Sequence, residues 1–174
     1  QDRAWQILER YKMPSLIEID LAKVSHSLLD KSKKMNVEKL FIGIESGSDF
    51  VLRRIKKGIN QKMIREKIAM CNSANMKIEL SFMMLFPNEK PEELEMTLNL
   101  IDELINYENI TISGPKIYNP YPGTDLYCEL IESGWQAPTN NYEWAKFERN
   151  VSPSETGFTL TDKHLRILES RGLI

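Results

Sequence analysis

Cysteine is scarce in this chain: Cys71 and Cys128 are the two among 174 residues. They lie far apart, form no C-x-x-C pair and match no metal-ligand spacing, so no metal site is expected from these residues alone. Cys71 falls on one helical face with Ile64 and Ile68, which marks it as a small buried thiol. No disulfide framework is expected, and a reduced, cytoplasmic setting is. Long apolar runs are missing too. None approaches the ~20 residues a spanning helix needs, so no membrane partner is expected. No signal peptide is expected either, because the opening stretch QDRAWQILERYK reads as helix. It does not begin with methionine, and a piece of a longer chain is the expectation. Neither sign of charge is in surplus: 23 Lys and Arg stand against 25 Asp and Glu, for a formal charge of −2. That balance gives no general attraction to nucleic acid or to anionic lipid.

What the chain does have is an ordered alternation of strand and helix signals. Residues 14–20 (PSLIEID) read as a short strand, followed by a helix carrying Leu21, Val24, Leu28 and Leu29 on one face. KLFIGIE is the second strand. SDFVLRRIKKG follows as a short helix with Ser48 as N-cap, Asp49 in its first turn, Lys56 and Lys57 in its last, and Gly58 beyond. A longer helix is predicted over residues 61–74 and a third strand over 77–86. Pro91 then opens a helix with Leu94, Leu98, Ile101 and Ile105 as its apolar stripe. NITISGPKIY is a fourth strand, NPYPGTDLY a turn opening another helix, and a last helix is predicted over 161–171.

Four strands each followed by a helix imply an α/β fold with a parallel sheet and right-handed crossovers. The two faces of the strands differ. Ile17 and Ile19, Ile42 and Ile44, and Leu80, Phe82 and Met84 are bulky. Between them lie Glu18 and Asp20, then Phe41, Gly43 and Glu45, then Glu79, Ser81 and Met83. A sheet buried on both faces would read as a continuous apolar run. One polar face lining a cavity is therefore expected, which favours an arc of a TIM-like (β/α) barrel over an open doubly wound sheet. Ligands bind at the carboxyl ends of such strands. Glu45 ends its strand on the polar face, Gly43 removes a side chain beside it, and Gly47 offers a turn where backbone can approach a ligand.

FIGIESGSDFVLRRIKKGI, then LSFMMLFPNEKPEELEMTLNLI, then NPYPGTDLY resemble the C-terminal half of a radical S-adenosylmethionine (SAM) domain. The likeness rests on the ESGS turn, on Leu52, on the Lys-Gly close and on PYPGTDLY, and it covers residues 16–127. The branch it resembles is the cobalamin-associated one, with anaerobic magnesium-protoporphyrin monomethyl ester cyclase, Fe–S oxidoreductases and methylthiotransferases. The resemblance implies a partial barrel of six β/α units, of which residues 1–134 form the C-terminal part, with 135–174 a C-terminal extension of loops and short helices. It implies SAM and a 4Fe–4S cluster as cofactors, with cobalamin as the further cofactor of that branch. It implies formation of a 5′-deoxyadenosyl radical or transfer of methyl groups, and a small-molecule substrate. Glu45, Ser46, Gly47, Ser81 and Met83 take the place of SAM-binding residues; catalytic residues are not assigned.

The departures carry equal weight. The family's C-x-x-x-C-x-x-C does not occur in this chain, so the N-terminal barrel half and the cluster loop are expected outside it, and these residues alone are expected to be inactive. The family's Gly-x-Pro-Gly-Glu-Thr turn reads here as Leu85-Phe86-Pro87-Asn88-Glu89-Lys90. Asn88 suits a left-handed conformation, Leu85 is expected on the polar face where cofactor would touch backbone, and Lys90 lacks a capping hydroxyl. A noncatalytic half-barrel module and a hydrolase using Glu18, Glu45 and Glu79 as acid and base are the alternative readings. Arg53, Arg54, Lys56 and Lys57 read as a solvated helix face, His26 and His164 as isolated, and the methionines, Met83 and Met84 included, as core filler. The Tyr118–Tyr127 stretch reads as a rigid turn with one tyrosine packed. An open first strand should be covered by a terminal helix or should pair in a dimer.

Overall fold

The computed structural model describes residues 2–145, 158 and 160–174. It opens with α1 (Asp2–Tyr11), β1 (Ser15–Glu18), a single 3-10 turn (Leu21–Lys23), α2 (His26–Lys34) and β2 (Val37–Glu45). Then come α3 (Asp49–Arg54), α4 (Gln61–Ser73), β3 (Lys77–Met84), α5 (Pro91–Leu104) and β4 (Ile110–Ile117). α6 (Asp125–Glu132), α7 (Asn141–Ala145) and α8 (Asp162–Ser170) complete the described elements. The strands form one parallel sheet in the order β1-β2-β3-β4.

The helix expected across Leu21 to Leu29 is two pieces. Asp20 starts the first turn by accepting from the Ala22 amide, that turn ends at Val24, and Ser25 starts a new helix by accepting from the Leu28 amide. Two polar caps within six residues outweigh the apolar spacing. The short third helix also stops earlier than its sequence implies. α3 ends with Arg53 and Arg54 in its last turn, and Lys56 adopts a left-handed φ of 56°.

The core lies on the helix side of the sheet. Leu40, Ile42, Ile44, Ile78, Leu80 and Phe82 are fully buried there beneath Leu52, Ile64, Ile68 and Cys71. The alternate residues Phe41, Gly43, Glu45, Glu79, Ser81 and Met83 are half-buried. The open face is thus real, and it carries its own ion pair between Lys39 and Glu79 at 3.1 Å. In α5, Leu94 and Leu98 are buried as expected, whereas Ile105 is exposed and Leu100 and Leu104 take its place inside. The last helix, α8, seats Leu168 against Leu94 and Leu98, and Arg171 reaches Asp102 on α5. A shared apolar cluster therefore joins the end of the chain to the sheet layer.

β1 is an edge strand, paired among the described residues with β2 alone. α1 packs Trp5 and Leu8 onto the core beside α2, with Lys31 over the Trp5 ring at 4.7 Å. Met13 and Leu16 remain exposed beside that edge.

Candidate functional site

The carboxyl end of β2 is irregular, and the irregularity builds the site. The β2–β3 register shifts between Gly43 and Glu45, leaving one extra residue in β2, and Glu45 adopts a left-handed φ of 72°. Bulges of this kind re-aim side chains next to functional sites. Here the Glu45 carboxylate is turned back over Gly43 and accepts from Lys57 Nζ at 2.9 Å. A Cβ on Gly43 would collide with Glu45 Oε1 and approach Lys57 Nζ to 3.0 Å. Gly43 is therefore a glycine because the ion pair lies on top of it.

Lys57 and Arg54 are two residues of the expected solvated helix face that the structure places otherwise, Arg54 against Pro87 O and Glu129. Lys57 faces the sheet with its side chain 29% exposed. The left-handed residues Lys56 and Gly58 bracket it and reverse the chain toward β2; of the two, Gly58 alone is a residue type that announces such a turn. With Glu18, Asp20 and Lys23, Lys57 borders a cleft at the carboxyl ends of β1 and β2. Replacing Gly43 by alanine is expected to cost less than about 1 kcal/mol, since only flexible side-chain ends must move. The Glu45–Lys57 pair is expected to separate, which a downfield-shifted Lys57 ammonium resonance lost in the variant would report.

Ser46 and Gly47, expected to face cofactor, are directed instead at α5. Ser46 is fully buried. Its hydroxyl donates to Thr97 Oγ1 at 3.1 Å and accepts from the Ser48 amide at 3.0 Å, because the Thr97 hydroxyl itself donates to Glu93 O. Thr97 Oγ1 also accepts from the Gly47 amide at 2.9 Å. A Cβ on Gly47 would lie 2.5 Å from Met96 O and 2.7 Å from Thr97 Cα. The backbone that approaches Gly47 closely belongs to α5, and the turn serves to lock Glu45 in place. Ser48 caps α3 as expected, accepting from the Val51 amide.

Ser81 and Met83 lie on the open face as their parity implies; Met83 also packs against the Val51, Phe86 and Tyr118 cluster. Leu85 does not. β3 ends at Met84, Leu85 takes a left-handed φ of 59°, and its side chain turns into the core with Leu94, Leu98 and Leu168, 2% exposed. The expectation that Leu85 fills space on the polar face is corrected: the backbone reversal hides it. Asn88, with φ 56°, takes the left-handed position its residue type suits.

Glu89 holds this reversal. Its Oε2 accepts from the Leu85 amide at 2.6 Å and the Phe86 amide at 3.2 Å, while Oε1 is buried without a partner. Burial pushes its carboxyl from 4.5 up to about 7, opposed by the two amides and by Arg54 and reinforced by Glu93. Arg54 donates to Pro87 O and pairs with Glu129 on α6. Glu93 accepts from the Lys90 amide at 2.8 Å, so the lost hydroxyl at Lys90 leaves half a capping box. His164 is not an isolated polar residue: it is buried, with Nδ1 accepting from the Thr161 amide. Nε2 therefore carries the proton and donates to Glu89 O at 3.0 Å. Tyr118 packs on Phe86 and Phe158, Tyr127 on Trp135 and Trp144, and Tyr121 is exposed. Two tyrosines, not one, brace the turn.

Of the three carboxylates that the hydrolase alternative uses, Glu45 pairs with Lys57 and Glu79 with Lys39, while Glu18 is exposed with no ion pair among the described residues.

A parallel sheet with one helix-covered face, an open polar face and charged groups gathered at the carboxyl ends defines an arc of a (β/α) barrel. The model of the Radical SAM superfamily matches residues 6–101, and the chain belongs to that superfamily. It is 36% identical over 90 residues to the tRNA-2-methylthio-N(6)-dimethylallyladenosine synthase of Aeromonas hydrophila, covering 51% of this chain and 18% of that protein. It is 32% identical over 116 residues to an uncharacterized methyltransferase of Pyrococcus horikoshii, covering 66% of this chain and 24% of that one. Among solved structures, the radical SAM enzyme coproporphyrinogen III oxidase of Escherichia coli superposes with a TM-score of 0.59 at 16% identity. That match covers 98% of this chain and 35% of the oxidase and shows the shared fold. The chain thus spans about a fifth to a quarter of the curated relatives it matches here.

Superfamily membership brings SAM and a 4Fe–4S cluster as cofactors. The residues of this chain do not fit the cluster. Cys71 is sealed among Ile64 and Ile68 with burial pushing its thiol up to about 11, and Cys128 lies exposed on α6. Among the described residues no group of three or more His, Cys, Asp or Glu could hold a metal ion. Among them, too, no helix is long and apolar enough to cross a membrane.

Proposed function

We propose that this chain forms the SAM-binding carboxyl-end wall of a radical SAM barrel whose cluster is supplied by residues outside it. The observation that carries the reading is the Glu45–Lys57 pair, 2.9 Å apart on the open face beside Gly43. A carboxylate and an ammonium side by side complement a zwitterion. Glu45 can accept from an α-ammonium and Lys57 can donate to an α-carboxylate, in charge-assisted bonds of roughly twice the neutral strength. The methionyl end of SAM is such a zwitterion. Ser81 and Met83, on the same face one strand over, then border the remainder of the molecule. When bound, SAM supplies the transferable group and the sulfonium chemistry; this chain's residues orient it and keep it on the polar face.

The curated relatives carry methylthio- and methyl-transferring names, which favours such a transfer over ring-forming cyclase chemistry in the parent. A cobalamin-binding region, where present, belongs upstream of these residues. The strand-bearing partner that this reading requires pairs with β1, whose outer edge no described strand occupies. That partner is the preceding part of a barrel, and in its absence a second copy of the same edge. A reduced cytoplasm is the compartment such a cluster needs.

Calorimetry with SAM tests the reading. Glu45→Gln and Lys57→Met are each expected to weaken binding by about tenfold or more, the worth of one charge-assisted bond. Unchanged affinity in both variants would remove the ion pair from the site.

A further inference from the structure

We propose that Lys116 anchors an anionic group, a carboxylate or a phosphate, of the substrate handled on the open face. The inference rests on reading that face as the reaction chamber, but on different residues from those assigned to SAM.

β4 starts with Ile110 and Ile112 toward the helices and Thr111 and Ser113 toward the open face, in register with Glu79 and Ser81 of β3. Continued without interruption, that alternation would send Lys116 into the apolar layer and Ile117 out of it. The register shifts instead: Ser81 pairs with Ser113, but Met83 pairs with Lys116. One extra residue has entered β4. Gly114 makes it possible, with φ 109° and no room for a Cβ, which would lie 2.6 Å from Phe82 O. After the bulge Ile117 sits in the apolar cluster with Met84 and Leu94, so Lys116 is on the opposite, open face, and it is exposed.

Lys116 has no ion pair among the described residues, while the open-face carboxylates Glu45 and Glu79 are taken by Lys57 and Lys39. Lys77, the other unpaired lysine of this face, opens β3 at the amino end of the sheet, away from the ligand end. Lys116 stands at the carboxyl end, two strands from Glu45, about 10 Å by the spacing of neighbouring strands. That separation places a cation across the chamber from Glu45 and Lys57, beyond Ser81 and Met83, where a second reactant would meet the far end of SAM. Bulges are over-represented next to active sites, where they re-aim a side chain, and this one decides the face of Lys116.

The test uses the 174-residue chain with its lysines reductively 13C-methylated. Lys116 is followed by NMR while inorganic phosphate or succinate is added at constant ionic strength. The Lys116 resonance is expected to shift saturably, with an affinity at least about fivefold above that of Lys77 on the same face. Lys116→Arg should keep the anion response of neighbouring Met83 and Lys116→Gln should abolish it, with both variants melting like the parent. Preference for phosphate identifies a phosphorylated substrate, and preference for succinate a carboxylate; either supports the anchor. Parallel, unsaturated shifts of Lys116 and Lys77 with both anions would overturn it. Loss of SAM binding at Glu45 leaves this readout untouched, so the two proposals fail separately.

Discussion

Glu89→Gln is expected to make the protein more stable at pH 8 than the parent by about 3 kcal/mol, and to change it little at pH 4.5. Burial raises the Glu89 carboxyl from 4.5 to about 7 in the folded protein. Between those two values the folded chain holds a proton that the unfolded chain has released. Stability therefore falls as pH rises through that window and levels off above about 7. Each pH unit of displacement is worth about 1.4 kcal/mol, which sets the expected size. Glutamine stays neutral at every pH and can still accept from the Leu85 and Phe86 amides, so its urea midpoint should be flat where the parent's declines. Parallel curves from pH 4.5 to 8.5 would show that Glu89 ionises freely. The consequence reaches the site, because the same carboxylate holds the reversal that ends β3 just past Ser81 and Met83.

Gly47→Ala is the second large effect. The added methyl must displace the α5 backbone at Met96 and Thr97, not a flexible side chain. Overpacking of this kind costs about 1–3 kcal/mol, with the upper end expected against rigid helix backbone. Gly58→Ala is the contrast: its φ of 72° is strained for alanine, but nothing lies within 4 Å. That variant should lose only about 1 kcal/mol. If chemical denaturation ranks Gly58→Ala as the worse of the two, the close approach of the ESGS turn to α5 is wrong.

The layered fold was legible because strand alternation and helix caps are local. Ile42 and Ile44 against Phe41, Gly43 and Glu45 already separate the covered face from the open one, and Ser48 and Pro91 mark their helices. What the sequence hid depends on backbone reversals. Lys56 and Leu85, two of the non-glycine residues with left-handed φ, each turn the chain so that a side chain leaves the place its sequence context implies. Lys57 thereby reaches the site and Leu85 leaves it. Ser46 and Gly47 lie in the correct turn, but their partner is Thr97, fifty residues downstream, and no local pattern announces that contact. Lys116 was likewise invisible to alternation, since one inserted residue in β4 decides its face.

The most direct test of the central claim is where SAM leaves its footprint on the 15N-labelled chain. The account predicts amide shifts concentrated at Gly43, Glu45, Lys57, Ser81 and Met83, and their disappearance in Glu45→Gln. A footprint at the α5–α8 side around Glu89 and His164, or none at any concentration short of nonspecific binding, would contradict it.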